Sequence, residues 1–341
     1  MVEMSERHTV SVIIPAKNGG QLLYNLVYTL LKKQTLTPSE VIIVYDGVLD
    51  EYIEKILEMG GKVIFSGERK GANRARNIGV EEAKGQILVF TDEDCIPSST
   101  WIEKIVEEMN QLNVEAVAGS TFMANPQFFF SRYLDESVLT SSPKYSKRII
   151  LKNDYPPGVV IATCNFAVRR DAWKRVKGFD EEYKWYGSDD MDLGFKLLKA
   201  GYRIACSPKP IVYHFHRTAL TKILKRYFQY GQGFAIYSKK HPESSFTRIS
   251  RAGLLATFTW ITSAIIMVLG GLIYPPLAVA GALMFALPYL GLLAFYFKKK
   301  KTKSLKATII YPLLDQILAF SSSLGYLHQN LSMKLKTNNK T

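Results

Sequence analysis

Short apolar runs alternate with amphipathic stretches of helical period through the first ~240 residues of the chain. Val10 to Pro15 (VSVIIP), Glu40 to Tyr45 (EVIIVY), Lys62 to Phe65 (KVIF) and Gln86 to Phe90 (QILVF) have the length and β-branched content of buried strands. The spacing predicts helices from about Gly20 to Lys33, Glu51 to Met59, Ala72 to Lys84 and Trp101 to Asn110, and Ala116 to Gly119 is strand-like again. Strands separated by helices need crossover connections, so the pattern predicts an α/β fold with an open, mostly parallel sheet and flanking helices. Ligands of such sheets gather at the carboxyl ends of the strands.

The pattern then changes. Residues 253–297 contain no charged residue. One membrane span needs ~20 apolar residues, so this run has room for two, about 253–274 and 276–297, with Pro275-Pro276 as the turn. Core helices of a soluble protein rarely lack a polar face over such a length. The segment from Leu305 to His328 is apolar but carries Lys306, Asp315, Gln316 and Ser321-Ser322-Ser323. It reads as an interfacial or re-entrant helix, with a third span as the alternative. The expected organisation is therefore a folded domain over 1–240 (halves 8–120 and 121–240), a transmembrane hairpin over 241–303, and an apolar helix with a basic tail over 304–341.

Charge sharpens this picture. The net charge is +14, and from Arg248 onward eleven Lys and Arg face one acid, Asp315, whereas the preceding 247 residues carry 33 bases and 29 acids. The excess thus sits around the apolar run, which suits an anionic bilayer better than nucleic acid. Arg248, Arg251, Lys298 to Lys301 and Lys303 flank the two spans, so both ends, and the large N-terminal part, are expected on the cytoplasmic side of the cell membrane. The N-terminus has no apolar core of a signal peptide. Cys95, Cys164 and Cys206 form no CxxC pair and leave one odd, which excludes a disulfide framework or a cysteine-ligated zinc site and favours a reducing compartment.

Chemistry concentrates where strands end. The first leads into Pro15-Ala16-Lys17-Asn18, the second into Asp46-Gly47, and the fourth into Asp92-Glu93-Asp94. On an extended chain Asp92 and Asp94 share a face, an arrangement suited to a hard divalent cation carrying phosphate oxygens. Lys70 and Arg76 lie at or near the start of a helix, where an anion such as a diphosphate is favoured. Asp189 and Asp190 open another helix, as caps or as a base with a neighbouring acid. His214 and His216, spaced i and i+2, are candidate metal ligands.

Taken together, VSVIIPAKN, VIIVYDG, KGANRARNIGVEEAKGQILVFTDEDCIP and CNFAVRRDAWKRVKGFDEEYKWYGSDDMDLGFKLLKAGYRI resemble the family 2 glycosyltransferases of GT-A fold over about residues 8–235. The resemblance implies a nucleotide-diphospho sugar donor (UDP or GDP) held by Pro15, Ala16, Asn18, Asp46, Lys70, Arg76 and Asp92. It implies Mg²⁺ or Mn²⁺ on Asp92, Asp94 and His216, and Asp190 as general base with Asp189 beside it. It also implies inversion at the anomeric carbon. Gly19, where the family often has an acid, and Tyr45, in place of the first acid of an Asp-Asp pair, depart from the pattern and leave the base open. An anchor beside the site points to a lipid-linked acceptor. The competing readings are a sugar-nucleotide pyrophosphorylase, for which PAKNGGQ is too short a glycine-rich loop, and a non-catalytic membrane-tethered sugar-binding protein, against which the intact acids argue.

Overall fold

The computed structural model of the chain describes residues 9–67, 71–139, 142–183, 187–299 and 304–338. Lys70 and Trp185-Tyr186 therefore lie outside the described residues. Two compact units are present, the first taking 1–125, 141–185 and 189–216, the second 126–140, 186–188 and 217–341.

The first unit begins β1 (Val10–Ala16), α1 (Gly20–Lys32), β2 (Glu40–Tyr45), α2 (Glu51–Glu58), β3 (Lys62–Phe65), α3 (Ala72–Glu82) and β4 (Ile87–Phe90), close to the bounds expected from the hydrophobic pattern. β3, β2, β1 and β4 pair in that order, all parallel. Val12 to Ile14, Val41 to Val44 and Ile87 to Phe90 are all buried, as strands covered on both faces must be. Asp50 caps α2 by accepting the Tyr52 and Ile53 amides at 3.0 and 2.9 Å.

Beyond β4 the sheet becomes mixed. β5 (Cys95–Pro97), α4 (Trp101–Leu112) and β6 (Ala116–Met123) are followed, after a segment of the second unit, by β7 (Ile149–Leu151), β8 (Phe166–Arg169), a short helix at Arg170–Arg175, one at Asp189–Lys199, and β9 (Ile204–His214). Asn165 to Arg170 reads from sequence as an edge strand, yet β8 is central, antiparallel to both β4 and β6. Its Ala167 and Val168 are fully buried, and short apolar residues fit either position. β9 pairs with β6 on one side and with β7 and β5 on the other, with Cys95 opposite His214. That pairing carries the chain just after the acidic turn to the end of β9.

The second unit holds α5 (Phe129–Glu136), a helix from Leu220 to Lys240, and three long helices, Ser245–Gly270, Pro275–Lys299 and Leu305–Asn338. All three are long and apolar enough to cross a membrane. Pro275 and Pro276 open the second of them, where missing N–H groups cost nothing; the turn itself is Gly271 to Tyr274. The first two leave most of their apolar side chains exposed, including Ile266, Leu269, Val279 and Leu283, whereas half of the third is covered by protein. Leu220–Lys240 packs against the third helix. Ser321 and Ser322 donate to the carbonyls of Leu224 and Tyr227 at 3.0 Å each, and Gly231 admits the Ser322 carbonyl where any Cβ would collide.

Asp315 is the buried acid of this unit. It accepts hydroxyls from Tyr133 (2.8 Å), Ser137 (2.6 Å) and Tyr296 (2.7 Å), joining three separate segments. Asp315→Ala should lower stability in detergent by about 3 kcal/mol or more, since three hydroxyls each lose an acceptor at ~1 kcal/mol. Asp315→Asn should recover part of the loss. Thermal unfolding of the three proteins decides it, and an Ala variant as stable as the parent would remove the network's structural role.

Candidate active site

β4 delivers its three acids into a turn. The Cys95 amide donates back to the Asp92 carbonyl at 3.1 Å, so the segment is not extended and Asp92 and Asp94 do not share a face through strand alternation. Each carboxylate goes to a different partner. Asp92 accepts from Arg76 at 2.7 Å. Glu93 gathers the backbone amides of Lys17, Asn18 and Gly19 at 3.0, 2.9 and 3.2 Å, and the Asn18 side-chain amide at 3.0 Å. Asp94 lies 3.2 Å from His214 Nε2.

Arg76 is the hinge of the arrangement. Its side chain is only 6% exposed, and it reaches Asp92 at 2.7 Å, Asp189 at 3.5 Å and the Asn73 side-chain Oδ1 at 3.1 Å, with Phe179 beneath it. Burial works against the guanidinium charge, but Asp92, Asp189 and Asp190 outweigh it and hold the group firmly protonated. Arg76, expected near the diphosphate, ties the end of β4 to the start of the Asp189–Lys199 helix. In that helix Asp190 Oδ1 accepts the Met191 amide at 2.8 Å, while Asp192 is buried against Lys196 at 3.1 Å.

His214 is the last residue of β9 and His216 lies just past it. Desolvation opposes protonation of His214, yet the Asp94 carboxylate more than offsets this and lifts its pKa to about 9. His216 stands one step behind, its Nδ1 3.0 Å from that of His214, and the Asn125 side chain clamps its backbone at 2.9 and 3.0 Å. The structure therefore sets His214, not the expected His216, against Asp94. Donor atoms of Asp94, Cys95 and His214 lie within 4.8 Å of one another, close enough to share one cation. Asp92 is not in that group.

At the end of β2, Asp46 accepts the Ser66 hydroxyl at 3.0 Å, and Pro15, Ala16 and Asn18 occupy the adjoining end of β1. The two departures noted in the sequence prove to be one. A Cβ on Gly19, whose φ is +59°, would stand 2.6 Å from the Tyr45 hydroxyl oxygen. Gly19→Ala should cost about 1–3 kcal/mol, the usual range for overpacking. Adding Tyr45→Ala should recover the steric part and leave the backbone strain. A double-mutant cycle by chemical denaturation measures the coupling; strict additivity would show that the two positions are independent.

Residues 11–177 match the family described as Glycosyl transferase family 2, and residues 152–218 match the N-terminal domain of galactosyltransferase. The chain belongs to the family 2 glycosyltransferases. Its relatives include the pre-mycofactocin glycosyltransferase of Mycobacterium tuberculosis, 27% identical over 75% of this chain and 53% of that protein. The chain thus spans about half the length of this relative. The O-antigen chain rhamnosyltransferase RfbN of Salmonella typhimurium is 27% identical over 65% of the chain and 71% of its own length. Among solved structures, the mannosyltransferase PcManGT of Pyrobaculum calidifontis, in complex with GDP-Man and Mn²⁺, superposes with a TM-score of 0.60 at 20% identity, covering 95% of this chain and 88% of the other. S. aureus TarS 1-349 in complex with UDP gives 0.53 at 16% identity, covering 94% and 92%. The GT-A fold expected from the sequence is the fold observed, and the three apolar helices fit a membrane anchor.

Glu93 was readable only as one acid among three. Nothing local in the sequence announces that its carboxylate organises the glycosyltransferase loop at Lys17 to Gly19, because its partners lie 74 to 76 residues away.

Proposed function

We propose that the chain transfers a sugar, with inversion, from a nucleotide-diphospho sugar to a lipid-linked acceptor at the cytoplasmic membrane face. The observation that carries this reading is the double ion pair of Arg76, which couples Asp92 from the donor half to Asp189, beside Asp190, from the acceptor half. Asp46, steadied by Ser66, would take the ribose or base, with Pro15, Ala16 and Asn18 as the adjoining wall. Lys70 is kept as the diphosphate cation. Asp92, fixed by Arg76, would face the donor sugar.

Asp190 would act as general base. Its carboxylate takes the acceptor hydroxyl proton as that oxygen bonds to the anomeric carbon. The bond from this carbon to the diphosphate breaks, and the nucleoside diphosphate leaves. A single displacement inverts the configuration. Asp94 and His214 would hold a divalent cation, Mg²⁺ or Mn²⁺, which when bound supplies positive charge for a departing diphosphate. Donor and cation classes are supported by the GDP-Man and Mn²⁺ of PcManGT and the UDP of TarS.

A lipid-borne acceptor is supported by the three apolar helices. The cytoplasmic side is supported by Arg248, Arg251, Lys298 to Lys301 and Lys303. The test uses the full chain in detergent with UDP- and GDP-sugars and either cation. Slow hydrolysis of one nucleotide's sugar is expected, together with faster transfer to a polyprenyl phosphate than to a water-soluble sugar. Neither hydrolysis nor transfer with any donor would reject the enzyme reading. Equal use of a soluble sugar would reject the lipid acceptor alone.

A further inference from the structure

Strand pairing gives the Asp94–His214 pair a third neighbour that an oxygen-seeking cation does not need. β5 and β9 are antiparallel with Cys95 directly opposite His214, so both side chains emerge on one face. Cys95 Sγ is 4.0 Å from Asp94 Oδ1, and Asp94 Oδ1 is 3.2 Å from His214 Nε2. A second buried thiol, Cys164, lies 3.7 Å from the Thr121 hydroxyl. Asp94 and His214 are partly exposed, while Cys95 and Cys164 are buried beneath.

Zinc bonds of about 2.0–2.3 Å place tetrahedral ligands roughly 3.3–3.8 Å apart. Asp94, Cys95 and His214 offer donor atoms within 4.8 Å of one another, two of the separations being 4.0 and 3.2 Å. Thiolate donors favour zinc over magnesium and manganese, which prefer an all-oxygen shell. The sequence spacing excluded such a site because it lacks a CxxC pair; the fold supplies instead one cysteine beside an acid and a histidine 119 positions further along the chain.

We propose that Asp94, Cys95 and His214, with water as the fourth donor, form a site for a thiophilic divalent cation, Zn²⁺ first, which they hold more tightly than Mg²⁺ or Mn²⁺. Binding forms one metal–sulfur bond as the Cys95 thiol proton passes to water. The zinc site rests on donor geometry alone and shares Asp94 and His214 with the cation proposed for catalysis. Its consequence, that zinc competes with the working cation and arrests transfer, rests on the function proposed above.

Cadmium alone, added to the full chain in detergent with a phosphine reductant, is the probe. A thiolate-to-cadmium charge-transfer band should saturate at one equivalent, vanish in Cys95→Ser and persist in Cys206→Ser. Competition with a chromophoric chelator should show zinc bound at least ~10²-fold more tightly than manganese, the direction set by thiolate ligation. Cys95→Ser should reduce zinc affinity by at least ~10-fold, the low end for disturbing a metal site's supporting groups. If that variant fails to fold, Asp94→Ala and His214→Ala replace it, each expected to weaken zinc. No band, a band surviving Cys95→Ser, or zinc bound no better than manganese overturns the proposal. A cadmium band without any manganese binding, read by paramagnetic resonance, would keep the zinc site and remove the cation from the proposed mechanism. Manganese binding without a band would do the reverse.

Discussion

Asp190→Asn should leave donor binding close to that of the parent while slowing sugar transfer by at least ~10²-fold, the usual scale for losing a general base. The expectation comes from geometry. Asp190 Oδ1 accepts the Met191 amide at 2.8 Å, and an asparagine oxygen can do the same, so the start of the helix is kept and only proton acceptance is lost. Asp189 differs, because it is engaged with Arg76 at 3.5 Å and its neutralisation disturbs a buried cation. Calorimetric titration of UDP and GDP, with single-turnover transfer on the same samples, separates the two effects. A fully active Asp190→Asn beside a folded but inactive Asp189→Asn would move the base to Asp189.

The second large effect is expected from Asp94→Ala. The side chain is 40% exposed and packs into no core, so the fold should survive, while manganese binding and cation-dependent turnover should fall below detection. His214 would also lose the carboxylate that lifts its pKa to about 9. Paramagnetic resonance of added Mn²⁺, turnover with and without EDTA, and thermal unfolding together test this. Parent-like activity in the variant, or full activity in EDTA, would remove the cation from Asp94.

Much of the first unit was legible because its elements are local. β2 and β3 occupy the runs EVIIVY and KVIF to the residue, since continuous β-branched apolar segments bounded by polar turns have few alternatives. β5, β7 and the length of β9 were not legible. Each is stabilised by partners far along the chain: Cys95–Pro97 pairs with Val212–His214, and Ile149–Leu151 with Ile204–Cys206. β8 was read at an edge for the same reason, since nothing in FAVR tells how many neighbours it will have. The helix Leu220–Lys240 runs through Gly231-Gln232-Gly233, a sequence that locally signals a stop, because Gly231 is a packing site against Ser322.

The sequence by itself determined the class of fold, the membrane-prone helices and the set of residues able to do chemistry, because periodicity, charge and strand-end position are local properties of a chain. Tertiary structure alone decided how that set is shared out. Arg76 is held between Asp92 and Asp189; His214 came before His216 because β9 ends at His214 beside Asp94; Cys95 faces His214 through the β5–β9 pairing. A carboxylate's partner depends on which distant charge the fold brings within about 4 Å, where Coulomb energy outweighs local preference, and no pattern read along the chain contains that distance.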